Sequence, residues 1–135
     1  TDGMKWTDLI DAIGAKVLDG SIGTAPEARE DESARLFRAA YEAEHGEAPP
    51  LPFIDTFYDA AFILALAIGK AGSTAGTAVR GAIRAVSNPP GQPILPGEWA
   101  KARRLIADGA DIDYIGAAGS QNFDAAGDVP GSFGI

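Results

Sequence analysis

The stretch Asp55 to Gly72, DTFYDAAFILALAIGKAG, constrains the fold of this chain more than any other. From Phe57 to Ile68 only Asp59 interrupts its apolar residues, so a helix here has almost no polar stripe to turn toward water and is predicted to be buried on all sides. Its start is marked by Thr56 with Asp59 three positions later, a capping-box-like arrangement, with Asp55 as a competing cap. Its end is marked by Lys70, which suits the negative helix terminus, and by Gly72, which can take the left-handed closing conformation. The run falls short of the roughly 20 apolar residues that span a bilayer. Ala60, Ala61, Ala65 and Ala67 leave room for a neighbouring backbone to approach closely.

The remaining 117 positions of the 135-residue chain are ordinary globular sequence, with 46% apolar and 22% charged residues overall. Eleven basic residues against nineteen acidic ones give a net charge of -8, which opposes nucleic-acid binding because phosphate contacts need a basic face. No cysteine is present, so disulfides and thiolate chemistry are excluded, and the single histidine, His45, cannot by itself build a histidine metal site. The chain opens on Thr1 without a charged and apolar leader, which points to a removed signal or to a start inside a longer protein.

Taken in order, Lys5 to Ile13 reads as a short amphipathic helix with Trp6, Leu9, Ile10 and Ile13 on one side, stopped by Gly14. Lys16 to Pro26 reads as extended, and Glu27 to Gly46 as a helix with Leu36, Phe37, Ala40 and Tyr41 turned inward. A proline-rich joint, Ala48 to Pro52, delivers Phe53 and Ile54 to the apolar helix. Thr77 is predicted to cap a further helix through Val86, with Val79, Ala82, Ile83 and Val86 inside, ended by Asn88-Pro89-Pro90-Gly91. A loop through Gly97, a short basic helix from Trp99 to Ala107, and glycine-broken apolar pieces from Asp111 complete the chain. The pieces are too helical for their strands: the apolar helix lacks a sheet large enough to cover.

Chemical constellations are sparse. FDAAGD at 123–128 has carboxylates around a glycine, but calcium loops need oxygen ligands at alternating positions and a distant glutamate, so a self-capped turn explains it as well. Asp108, Asp111, Asp113 and Asp124 could pair for acid–base chemistry, although solvated loops are the commoner reason for such clustering. No nucleophile elbow or phosphate loop occurs, and Gly116 to Gly119 is too short and has no lysine. His45 suits a solvent-facing helix end; Trp6 and Trp99 suit packing better than ligand platforms. Neither a cofactor nor a metal site is expected, and no catalytic residue is assigned.

Three stretches carry a resemblance: FYDAAFILALAIGKAG at 57–72, Ala-Val-Arg-Gly-Ala-Ile at 78–83, and ADGADIDYIGAAGSQNFDAAGDVPGSFGI at 107–135, together with Gly-Thr-Ala-Pro at 23–26. In order and spacing they resemble the C-terminal portion of the extracellular solute-binding proteins of branched-chain amino acid ABC transporters, the leucine/isoleucine/valine-binding type. The resemblance implies an α/β fold, the C-terminal portion of a two-lobed type I periplasmic-binding-protein fold, mostly helical here with few short strands. Residues 1–25 would end the second lobe, 26–131 would form the C-terminal part of the first lobe, and 132–135 would start the third crossing strand. Asp2 matches the acidic residue that pairs with a ligand ammonium, where amino-acid-binding members often carry Glu; Phe53 matches an aromatic packed on the ligand side chain.

The implied function is non-enzymatic: a periplasmic or extracellular receptor, free or lipid-anchored, binding a small amino-acid-like or related carboxylate solute between lobes and delivering it to a membrane permease. The leading half of the first lobe is not in this sequence. These 135 residues alone are therefore expected to bind solute weakly or not at all, and to need that missing N-terminal lobe or a second copy of the chain as partner. A cytoplasmic amide or amino-acid sensor of the same fold, a small acid-dependent hydrolase and a helical interaction module are the alternatives.

Overall fold

The computed structural model describes residues 7–26, 29–50 and 53–135. Its elements run α1 (Thr7–Ile13), α2 (Ala15–Leu18), β1 (Ala25–Pro26), α3 (Glu32–His45), α4 (Ile54–Ala71), α5 (Gly76–Ser87), β2 (Gln92–Ile94), α6 (Trp99–Ala107), β3 (Ile112–Gly116), β4 (Gly119–Ser120) and β5 (Phe133–Gly134). They divide into two compact units, Thr1–Ala28 with Gly131–Ile135, and Arg29–Pro130.

In the smaller unit β1 pairs antiparallel with β5, Ala25 opposite Gly134 and Pro26 opposite Phe133. The extended segment predicted for 16–26 is corrected here: Ala15–Leu18 is a helical turn, and only the last two residues are a strand. Ala, Lys and Leu are strong helix formers, and the glycines that suggested a strand lie beyond them. The apolar side of α1 is largely open, with Ile10 at 39% and Ile13 at 41% exposure. Trp6 lies outside the described residues.

The larger unit begins its first helix later than the predicted Glu27. Asp31 is the cap: its carboxylate accepts from the Ala34 N–H at 3.1 Å and from the Ser33 hydroxyl at 2.8 Å. Phe37 is buried as expected and Tyr41 is half-buried, but the inner face runs through Ser33 and Ala34 while Leu36 and Ala40 face solvent.

The core is a three-stranded sheet, ordered β2-β3-β4, with helices packed on it. β2 and β3 are parallel, with Gln92, Pro93 and Ile94 opposite Ile112, Asp113 and Tyr114, and α6 is their crossover. β3 and β4 form a tight antiparallel hairpin, Ile115 opposite Ser120. Residues 92–94, predicted as loop, form a strand because β3 supplies a partner that local sequence cannot reveal. Along β3 burial alternates: Ile112, Tyr114 and Gly116 point inward. Ile112 and Tyr114 meet Ile63, Leu66 and Ala67 of α4, Val79, Ala82 and Val86 of α5, and Ala102 of α6.

The prediction that the apolar helix is covered all round is corrected by α4. Asp59, Ile63, Leu66 and Ala67 are buried, but Phe57 is 76% and Leu64 50% exposed, with Ala60 and Ala61 exposed between them. α5 starts at Gly76 without a side-chain cap, and Thr77, its predicted cap, lies inside the helix. Beyond β4 the chain is clasped by side chains instead of a strand. Asn88 donates to the Phe123 carbonyl at 2.8 Å and accepts from the Phe123 N–H at 3.1 Å, as a neighbouring backbone would. In the turn at 124–128 the Asp124 carboxylate accepts from Gly127 and Asp128 N–H groups at 2.8 and 2.9 Å, and Arg84 holds the Asp124 carbonyl.

Candidate functional site

The lead-in to α4 places Phe53 at the helix cap. There its backbone adopts φ 70 and ψ 0, a left-handed conformation that no other non-glycine among the described residues shares. A bulky L-residue in this region crowds its own backbone, and such strain gathers at ligand clamps and active sites. The Phe53 carbonyl nonetheless accepts the first helical bond, from Phe57 N–H at 2.9 Å, so the helix axis fixes where this half-buried residue sits. The expected capping box does not form. Asp55 accepts from the Thr56 N–H at 2.8 Å, and Asp59 is engaged elsewhere.

Asp59 is 1% exposed. Its Oδ1 accepts from the Tyr114 hydroxyl at 2.7 Å and the Ala117 N–H at 2.8 Å; its Oδ2 accepts from the Ala118 N–H at 2.8 Å and Gln121 Nε2 at 3.3 Å. The β3–β4 turn thus wraps a carboxylate with successive backbone donors, an anion nest whose anion is a side chain. Gly116 has to be glycine, because a Cβ there would overlap the Asp59 carboxylate. Burial raises the Asp59 pKa, with the neighbouring Asp55 charge adding to it, while the Ala118, Tyr114 and Ala117 donors pull it down. Burial, and then the Asp59 charge, push the Tyr114 hydroxyl far up, which keeps it a donor.

Beside Asp59, Tyr58 accepts from the Gly97 N–H at 2.9 Å, and burial raises its pKa. Aromatic rings continue on both sides: Phe37 lies 5.0 Å and Phe62 5.7 Å from Tyr58, and Phe62 stacks on Tyr114 at 4.8 Å. Trp99 meets Phe62 edge-on at 5.8 Å, and His45 sits against Tyr41 at 4.3 Å. Trp99 packs its edge there, whereas His45 is exposed at the C-terminal end of α3, as its place in the sequence suggested.

Of the two residues expected to touch ligand, Phe53 stands at the strained cap and Asp2 lies outside the described residues. The acidic side chains considered for acid–base work serve other contacts: Asp111 lies 3.8 Å from Lys70, and Asp124 binds its own turn. Asp113 sits partly buried on the other face of β3, its pKa raised by that burial. Among the described residues no group of three or more His, Asp or Glu side chains could hold a metal ion. Sequence reasoning missed Asp59 as the structural centre. The available signal was the acid itself, alone within an apolar run, which demands buried partners.

No family model matches the chain, and no solved structure does. Over 92 residues the chain is 36% identical to the chemotactic signal transduction system substrate-binding protein BasB of Halobacterium salinarum. That alignment takes in 68% of this chain and 21% of BasB, so the chain spans about a fifth of the length of the substrate-binding protein it is similar to.

Proposed function

We propose that this chain forms part of a solute-binding receptor of the type I periplasmic-binding-protein fold, and that Phe53 provides an apolar wall against the side chain of a small amino-acid-like solute. The observation that carries this reading is the left-handed backbone of Phe53. Glycine would be unstrained at this position, and an aromatic kept there in spite of its backbone strain is consistent with a ligand contact at the helix start. The similarity to BasB supports the same class independently, since that protein is named for substrate binding.

In this reading Asp2 supplies the charge-assisted partner of the ligand ammonium. The solute is delivered to the permease of an ABC importer from the periplasm or cell exterior. A second reading shares the receptor and changes its partner: because BasB belongs to a chemotactic system, the loaded receptor would be read by a signal transducer. The test is calorimetric titration of the intact gene product with leucine, isoleucine and valine. Micromolar or tighter binding of at least one is expected, with Phe53→Ala and Asp2→Ala each weakening it at least tenfold. Undiminished affinity in Phe53→Ala would remove the aromatic from the site.

A further inference from the structure

We propose that Asp59 and Tyr58 are positioning residues whose tethers fix the start of α4, and with it the ring of Phe53. The inference rests on the proposed ligand contact of Phe53 and deepens it, and every group involved belongs to the unit Arg29–Pro130.

The geometry begins with the helix itself. Successive helical residues project about 100° apart around the axis, and six residues advance about 9 Å. Tyr58 and Asp59 therefore leave α4 in two different directions, about one and a half turns beyond Phe53. Tyr58 reaches the Gly97 N–H at 2.9 Å, and Asp59 reaches Tyr114 and the Ala117 and Ala118 N–H groups at 2.7 to 2.8 Å. One tether alone leaves rotation about it free. Two of them, aimed at the loop before α6 and the turn after β3, remove both axial sliding and rotation.

The chemistry argues for a specific purpose. A buried carboxylate is an inefficient way to hold a helix, since an apolar side chain of similar volume packs at least as well. What the carboxylate adds is direction: its oxygens must meet their donors within a few tenths of an ångström or be left unpaired in the core. Gly116 forfeits any side chain to admit it. The element so fixed is the one whose first residue is strained, and strained backbone persists only where its surroundings over-determine it.

The test separates positioning from bulk stability. 4-Fluorophenylalanine is placed at Phe53 in one sample and at Phe123, which Asn88 clasps against the core, in another, and 19F spectra are recorded for the parent and for Asp59→Asn. This variant keeps the shape but turns an amide NH2 toward backbone donors. The expected result is a shifted or multiplied resonance at 53 with the line at 123 unchanged. Two unchanged lines, or two lines altered alike, overturn the proposal. If Asp59→Asn does not fold, Tyr114→Phe removes one donor while keeping the ring on Phe62, and the same pattern is required of it. Titration with leucine, isoleucine and valine then joins the two readings: for whichever of these binds, Asp59→Asn is expected to weaken binding about tenfold in the parent and by less than twofold in the Phe53→Ala background. Equal losses in both backgrounds would place the effect of Asp59 elsewhere. Failure of Phe53→Ala to affect binding would defeat the ligand assignment while leaving the spectroscopic result intact.

Discussion

A phenylalanine at φ 70 is held against its own steric preference, and the size of that conflict can be measured without any ligand. Replacing Phe53 by alanine or by glycine removes the same ring and its contacts, but only glycine is indifferent to the left-handed region. Phe53→Gly is therefore expected to be more stable than Phe53→Ala by about 1 kcal/mol, within the usual range for such backbone strain. Urea unfolding of the two variants checks it, and equal midpoints would mean that the helix start relaxes freely. The residue scale is also where sequence reasoning was least complete. Phe53 is singled out through the resemblance, as the match to an aromatic packed on the ligand side chain, but its conformation depends on how α4 is held. The local sequence offers Asp59 only a capping box, because its real partners, Tyr114 and the Ala117–Ala118 backbone, lie far along the chain.

Among the elements, α4 differs most from its expectation. Its polarity pattern promised burial all round, yet its packing is one-sided, since α5, α6 and β3 cover Ile63, Leu66 and Ala67 but leave Phe57 and Leu64 open. Stability should follow the packing. Leu66→Ala, at a position with no exposure, is expected to cost about 2–5 kcal/mol. Phe57→Ser should change stability by no more than about 0.5 kcal/mol, as surface substitutions do. Thermal unfolding of both variants decides the matter; a large loss from Phe57→Ser would show that the open face is covered in solution. Elements whose signals are local were legible: α6 begins at Trp99 and ends at Ala107 as read, and β3 falls within the piece beginning at Asp111. β2 was not, because three residues containing Pro93 become a strand only when Ile112 to Tyr114 lies alongside. α3 is legible in type and in part of its face: Phe37 is inward, but Leu36 and Ala40 are open and Ser33 and Ala34 take their place, a choice set by the elements it packs against and not by its own pattern.

At the scale of the molecule, the larger unit is assembled from near neighbours in sequence. α4 packs on α5 after a short turn, and β2 joins β3 across the single helix α6. The Asp59 nest is of another kind, since its donors lie 55 to 62 residues further along the chain. Contacts that close long loops pay their entropy late, after shorter-range pairings have brought the ends together. The nest should accordingly be absent from the folding transition state. Asp59→Asn is expected to leave the refolding rate within about twofold and to put nearly all its destabilisation into faster unfolding, as low-φ positions do. Stopped-flow refolding and unfolding in urea would show it, and a refolding limb slowed in proportion to the lost stability would assign the nest to the nucleus instead. Seen this way, the carboxylate is a latch on the exit from the native state: it sets how long the fold lasts once formed, and hardly at all how quickly it is reached.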